Sequence, residues 1–383
     1  MNRFDAAVPY EEWDATGTAW GPDYRERLRD VWQPLRKAVQ EGLIPGGVAG
    51  IRYKSVCLYY AVGLAEAGEK ERQAGIHTLY DCASLTKVTV TLPLILKLWE
   101  QKKLDLDDPA SLYIPELSSP NSSLITVRQL LSHTAGLPPT WDFHSSSWRL
   151  EHILYFLGNK VEFGGHGTVY SDLGFILLGV IVERLFGTTM NEAARRYLFS
   201  PLEMKDSCFC PSPDLRFRIA STEWSEELGD FWTGIVHDEN ARALGGISGH
   251  AGLFATCSDL LQYAQLWLEP EQTQFEGKPI LSRFAIDEAQ KRHGNGLDPS
   301  NRGLGWVLKG NRHDVSGSRL SERSFGHTGF TGTSLYMDPQ RGLAAVLMTN
   351  RVHFGRQQDI TELRKTFHDA AADAVDHLAK ESG

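Results

Sequence analysis

A mostly apolar run covers residues 88–99. It carries Val88, Val90, Leu92, Leu94, Ile95, Leu96, Leu98 and Trp99. Plotted at 3.6 residues per turn it is apolar almost all round, so it predicts a helix buried on most sides, a central post for a domain. Pro93 falls inside the run and predicts a kink or a displaced helix start. Two amphipathic stripes lie nearer the ends. Leu28, Val31, Trp32, Leu35 and Val39 predict a helix over 22–42, and residues 360–378 predict a terminal one. β-branched and aromatic residues predict strands at 48–53 and 56–63, and again at 334–337 and 343–348 around an Asp338–Gly342 hairpin connection. The middle differs. Short helical pieces, among them one starting at Thr126 and a buried one at 173–185, are separated by Pro, Gly and Ser clusters such as Gly136-Leu137-Pro138-Pro139 and Gly164-Gly165-His166-Gly167. Aromatic residues set among turns at 138–168 and 211–240 suit loops over a cleft.

This pattern predicts an α/β (α+β) fold in which both ends of the chain build one antiparallel sheet flanked by helices. The expected division is an α/β domain from 20–104 and 241–383, a mostly helical domain over 105–240, and an N-terminal extension over 1–19. At 383 residues there is enough chain for a large core. A net charge of −9 with no Lys/Arg-rich block argues against a nucleic-acid partner. No stretch of about 18 uncharged apolar residues is present, so no membrane span is expected. The first ten residues lack an apolar signal core, which points to a cytoplasmic chain. Five scattered cysteines, an odd number, do not form a disulfide framework, and Cys208-Phe209-Cys210 lacks zinc-knuckle spacing.

The candidate chemistry begins just before the post, at Ser84-Leu85-Thr86-Lys87. Ser84 and Lys87 stand at i and i+3, which places hydroxyl and ammonium on one helical face at an N-terminus that favours developing negative charge. Taken alone, the same four residues read as a helix cap and a solvated lysine. Further stretches decide between the two: Ser132-His133-Thr134-Ala135-Gly136, Tyr170-Ser171-Asp172, Gly249-His250-Ala251-Gly252 and Gly326-His327-Thr328-Gly329. In their order and spacing these motifs resemble the serine β-lactamase and penicillin-binding-protein superfamily, in its class C-like branch with family VIII esterases, D-aminopeptidases and D,D-peptidases. The resemblance runs from about residue 20 to the C-terminal end.

The resemblance implies Ser84 as the acylated nucleophile, Lys87 as its charged partner, and Tyr170 as the tyrosine of a Tyr-x-Asn motif. It implies an oxyanion hole from the N–H groups of Ser84 and Phe330, with His327, Thr328 and Gly329 as the strand triplet that is Lys-Thr-Gly in β-lactamases. Asp172 and His327 depart from that pattern, both at positions expected to bind substrate. Asp172 is left open between a helix cap and a site residue. Serine needs a base, and a tyrosine hydroxyl is a poor one unless a cation stabilises its phenolate. The alternative base is a neutral Lys87, and the two groups couple too closely for the sequence to choose. His133 reads as a loop-bracing residue. His237, Asp238 and His250 read as pairing with one another in preference to holding a metal.

The implied function is a serine hydrolase working through an acyl-enzyme on a small ester, amide or peptide substrate, carboxylesterase-like, with no cofactor and no metal. Histidine at 327 supplies less positive charge than lysine, which favours an esterase over a β-lactamase. The alternatives are a D-amino-acid or muropeptide amidase or peptidase, a weak β-lactamase, acyl transfer to another acceptor, and a penicillin-binding module without turnover. A Gly-x-Ser-x-Gly elbow is the competing hydrolase motif, and Gly246-Ile247-Ser248-Gly249-His250 breaks it. The oligomeric state cannot be read from the sequence.

Overall fold

The computed structural model describes residues 11–16, 28–54, 56–146, 148–161, 167–293 and 301–381. The first ten residues and 17–19 of the expected extension, the start of the helix expected from residue 22, and the Gly164-Gly165-His166 turn lie outside them.

Eight strands form the main antiparallel sheet, with strands from the chain's two ends side by side. They are β1 (Glu11–Thr16), β2 (Gly46–Tyr53), β3 (Val56–Glu66), β4 (Arg72–Gln73), β5 (Val307–Leu308), β6 (Phe325–Thr328), β7 (Ser334–Asp338) and β8 (Leu343–Thr349). Their order is β1-β3-β2-β8-β7-β6-β5, with β4 paired to β3. The join between the two ends is β8 against β2, in register from Leu343 opposite Tyr53 to Thr349 opposite Gly47. Side chains alternate between two buried faces, which is why these strands read as continuous apolar runs. Val48, Cys57, Ala61, Val346 and Met348 face one core. Ala49, Ile51, Leu58, Tyr60 and Leu347 face the other.

The second face is covered by α1 (Gln33–Gln40) and α5 (Thr361–Glu381), through Leu35, Phe367, Ala371 and Val375. The first face meets α2 (Leu92–Glu100) and α4 (Cys257–Leu268). Val88, Val90, Leu92, Leu94, Ile95, Leu96 and Leu98 are all 0 % exposed, so the apolar run is the expected central post. Its start is displaced. Residues Lys87–Thr91 form a wide π-helical turn before α2, with Pro93 in the first turn of the regular helix. The wide turn accommodates Pro93, which has no N–H to donate to the turn before it.

The middle of the chain supplies short helices and α3 (Asp172–Phe186), whose residues from Leu173 to Val182 are buried. The helix at Val127–Leu131 opens with a capping box between Thr126 and Gln129. Where α3 crosses the segment before α4, Gly249 is required. A β-carbon there would lie 2.0 Å from the Phe175 carbonyl oxygen. Among the described residues no single helix is long and apolar enough to cross a membrane.

Candidate active site

Ser84 sits on a turn that is braced from several sides. The short strand Tyr80–Asp81 pairs with Leu253–Ala255 and brings the chain to it. The buried Asp81 carboxyl accepts the N–H groups of Ala83 at 2.8 Å and His237 at 2.7 Å, closing the turn and joining it to the loop opposite. Ala83 has a φ of 45°, a left-handed conformation that is costly for a residue with a β-carbon. Its carbonyl accepts the Thr86 hydroxyl at 2.7 Å and the Thr86 N–H at 3.0 Å. The same peptide unit carries the Ser84 N–H, which must therefore point the other way. A second peptide is fixed in like manner. The Gly329 carbonyl accepts Arg364 Nη2 at 2.8 Å, so the Phe330 N–H of that unit also points away from its anchor. Neither N–H donates to a protein acceptor among the described residues. Gly329 allows the close approach of the two segments, because a β-carbon there would lie 2.4 Å from the Cys82 carbonyl oxygen and 2.1 Å from Thr333 Oγ1.

Lys87 is 0 % exposed, and its ammonium is fully engaged. Nζ donates to Ser84 Oγ at 2.9 Å and to the His250 carbonyl at 3.0 Å, and forms an ion pair with Asp172 Oδ1 at 2.7 Å. Burial alone would lower its pKa. The charge of Asp172 and the nearby Tyr170 outweigh that and hold it above the ordinary lysine value. Asp172 thus meets Lys87 in the site; the helix that begins there has no side-chain cap.

Tyr170 stands beside this pair. Lys87 Nζ lies 5.1 Å and Arg302 Cζ 5.2 Å from its ring centroid. His133 braces the segment as expected, its Nδ1 accepting the Ser171 N–H at 3.1 Å while its ring packs 4.6 Å from that of Tyr170. His327 is 3 % exposed, and its Nδ1 meets the Thr328 carbonyl at 2.8 Å. A carbonyl only accepts, so Nδ1 carries the hydrogen and Nε2 is left as a bare acceptor. Burial, then the charges of Arg302 and Lys87, push His327 well below the usual imidazole range. This corrects the expectation of a partly charged group at this position: burial and the two neighbouring cations favour the neutral imidazole.

Ser84, Tyr170, Asp172, His327, Thr328, Gly329 and Phe330 line one cleft of about 480 Å³, with Arg302, His313, Asp238 and Glu239 among its other walls. Lys87 lies beneath Ser84. Other charged groups of the cleft are paired. Asp238 Oδ1 meets His250 Nε2 at 2.8 Å, and Arg356 meets both Glu223 and Glu239. His237 Nε2 lies 3.1 Å from Glu223 Oε2, and its ring stacks on Phe330. Among the described residues no three His, Cys, Asp or Glu side chains gather to hold a metal ion. Ser248 Oγ lies 2.8 Å from His250 Nδ1, which gives a Ser–His–Asp chain of hydrogen bonds. That serine is buried and absent from the cleft wall, so it orients the imidazole and meets no substrate.

Sequence reasoning passed over three residues of this site. Asp81 and Arg364 act through backbone groups, and no motif spacing marks such contacts. Arg302 stands in Asn301-Arg302-Gly303-Leu304-Gly305, where only an arginine between small turn residues could have drawn notice.

The family model described as Beta-lactamase matches residues 31–367. An N-acetylmuramyl-L-alanine amidase of Bacillus subtilis (strain 168) is 30% identical over 367 residues, covering 86% of this chain and 82% of that protein. A putative D-alanyl-D-alanine carboxypeptidase of Escherichia coli (strain K12) is 29% identical over 320 residues, covering 74% and 72%. Among solved structures, EstCE1, a hydrolase with promiscuous acyltransferase activity, superposes with a TM-score of 0.72 at 22% identity over 91% of this chain and 99% of that one. A class C beta lactamase from Rhodobacter sphaeroides superposes at 0.70 and 19% identity, over 92% and 99%. At these identities the two structures speak for the fold alone.

Proposed function

The chain belongs to the beta-lactamase family and is a serine hydrolase, and from that premise we propose that Ser84 is its nucleophile, acylated by small esters or amides. The observation that carries this reading is the Lys87 ammonium, which donates to Ser84 Oγ at 2.9 Å while paired with Asp172. An ammonium held protonated cannot take the serine's proton, so the receiving atom is the Tyr170 oxygen. The phenolate that this step requires is stabilised by Lys87 beside it. Ser84 Oγ then bonds to the substrate carbonyl carbon, and the tetrahedral oxyanion forms between the N–H groups of Ser84 and Phe330. Tyr170 returns the proton to the leaving alcohol or amine, and water repeats the sequence on the acyl-enzyme. Asp172 holds the lysine's charge and position, while Thr328 and Gly329 form the wall along which the acyl group lies.

A neutral His327 supports an ester or simple amide over a β-lactam, since the strand offers no cation. A second reading, an amidase acting on N-acetylmuramyl-L-alanine, is favoured by the Bacillus subtilis relative, matched along most of both chains.

Intact-mass analysis tests both readings, with p-nitrophenyl esters, D-amino-acid amides, N-acetylmuramyl-L-alanine and a penicillin as substrates. Turnover with transient mass on Ser84, lost in Ser84→Ala, is the expected result. A long-lived adduct without turnover would mark a penicillin-binding module, and labelling that survives Ser84→Ala would remove the nucleophile assignment.

A further inference from the structure

Lys87 Nζ is held by groups of two kinds. Asp172 and Ser84 meet it with side chains, at 2.7 and 2.9 Å, and His250 meets it with its backbone carbonyl at 3.0 Å. That carbonyl belongs to Gly245-Gly246-Ile247-Ser248-Gly249-His250-Ala251-Gly252, in which four of eight residues are glycine. Such a backbone has few side chains to anchor it and more freedom to lose on folding. Thr91 Oγ1 donates to the Gly249 carbonyl at 2.7 Å, which fixes the peptide before His250. From Gly249 to Leu253 only His250 carries a polar side chain. The residue is 1 % exposed and its ring is bonded at both nitrogens, Nδ1 to Ser248 Oγ and Nε2 to Asp238 Oδ1, each at 2.8 Å. Asp238 is anchored in turn. Its Oδ1 also accepts the Ala241 N–H at 2.8 Å and so caps the short helix Glu239–Ala243, and the neighbouring His237 N–H donates to the buried Asp81 carboxyl at 2.7 Å. Burial would raise the Asp238 carboxyl, but attraction to His250, its hydrogen bond, the Ala241 N–H and the Lys87 charge outweigh that and hold it well below the usual carboxylate range. A carboxylate only accepts, so His250 Nε2 carries the hydrogen.

We propose that Asp238 and His250 are positioning residues that act through Lys87. The carboxylate fixes the imidazole, the imidazole fixes the backbone of its own residue, and that residue's carbonyl holds the ammonium on Ser84 Oγ. This rests on the acyl-hydrolase reading of the same site. The ammonium must be aimed as well as charged, because a misplacement of about 1 Å can cost two orders of magnitude in rate. Asp172 sets its charge from α3, and the His250 carbonyl sets its direction from the segment before α4. In this role neither Asp238 nor His250 touches the reacting atoms.

A cycle of variants with Lys87→Ala tests the link. Asp238→Ser keeps a helix cap while withdrawing the group that reaches His250. On a neutral ester, 4-nitrophenyl butyrate, Asp238→Ser and His250→Ala should each lower kcat about 10- to 50-fold, with KM within about twofold of wild type. Asp238→Asn should regain most of that loss, since its amide oxygen can accept from both Ala241 and His250. In the Lys87→Ala background there is no ammonium to aim, and Asp238→Ser should cost less than about twofold more. An equal loss in both backgrounds would reduce the pair to a brace of the loop and overturn the link. A loss carried by KM would overturn it too, by placing Asp238 in substrate binding. So would an Asp238→Asn as impaired as Asp238→Ser, because charge and not an acceptor would then be what matters. The Asp238 side chain is 29 % exposed, so Asp238→Ser carries the cycle if the buried His250→Ala does not fold. If every ester and amide is inert, the hydrolase reading fails and the same cycle is read as urea midpoints. Shifts from Asp238→Ser and Lys87→Ala that do not add support the link, and shifts that add overturn it.

Discussion

Two buried cations stand beside Tyr170, and the protein treats them differently. Lys87 has an acid, a carbonyl and the Ser84 hydroxyl at 2.7, 3.0 and 2.9 Å. Arg302 has one carbonyl at 3.4 Å and an aromatic face. Desolvation penalises both, but only at Lys87 does the surrounding protein repay it, and the pKa directions record this: raised at Lys87, lowered at Arg302. A charge whose partners are all protein groups is fixed machinery, positioned before substrate arrives.

Removing the satisfied cation should have the largest effect. Lys87→Ala leaves the Asp172 carboxylate without its ion pair and Ser84 without its donor, and should cost about 100- to 10,000-fold in kcat. Tyr170→Phe should fall in the same range, and the double variant should be little worse than either alone, because Lys87 acts through the Tyr170 oxygen that takes the proton. Additive losses in pre-steady-state acylation would show that the two do not act as a unit.

Asp172→Asn separates the charge of Lys87 from its position. In wild type the raised lysine pKa means that its contribution is complete below the ordinary lysine value and is lost only as pH rises through the higher one. Activity should therefore show no lysine limb below about pH 9. In the variant, desolvation is opposed by Tyr170 alone, the limb moves toward neutrality, and kcat/KM at about pH 9 should fall roughly tenfold relative to wild type. A profile of unchanged shape would mean that Asp172 does not set the lysine's charge.

Arg364→Met tests a cation that is spent on the backbone. It would leave the Gly329 carbonyl with the longer Gly332 N–H bond alone, at 3.2 Å, and so loosen the direction of the Phe330 N–H. We expect about a tenfold loss in kcat with KM nearly unchanged, since the oxyanion exists only beyond the ground state. A loss carried by KM would place Arg364 in substrate binding instead.

The contrast between filled and vacant partners also marks what the sequence could reveal. The post helix is legible because its apolar positions leave no polar face, and Ser84 with Lys87 because i and i+3 share one side of a turn. Both chain ends announce the sheet through β-branched runs, and β8 against β2 joins them as that symmetry suggests. The role of Asp172 is not legible, since a cap and an ion pair ask for the same residue at the same place. His327 is misleading for a physical reason. Its charge depends on burial and on Arg302 and Lys87, which lie far away in sequence. Arg302 itself is defined by what does not surround it, and no spacing rule encodes the absence of a partner. Within the described residues, which resume at Leu28, the helix expected from residue 22 shows as a 3-10 turn over Arg29–Trp32 followed by α1.

The smallest effect should come from the paired rim, where charge is balanced and partly solvated. Glu223 is held at about 2, first by its hydrogen bond to His237 and then by Arg356, against a burial that would raise it. A depressed carboxylate contributes stability that is present above its unfolded value and is lost as pH falls through the folded one, here between about 4.5 and 2. Taken at face value the shift would be worth several kcal/mol. The side chain is 26 % exposed and its partner Arg356 43 %, so screening reduces the expected contribution to about 1 kcal/mol. Glu223→Gln should thus be about 1 kcal/mol less stable than wild type at neutral pH in urea unfolding, and the gap should close toward pH 2. Its kcat on neutral esters should change far less than in Lys87→Ala, because this charge faces protein partners and lies away from the proton path. A gap that persisted unchanged to pH 2 would mean that Glu223 stabilises through packing, and this part of the cleft would then owe its order to shape more than to charge.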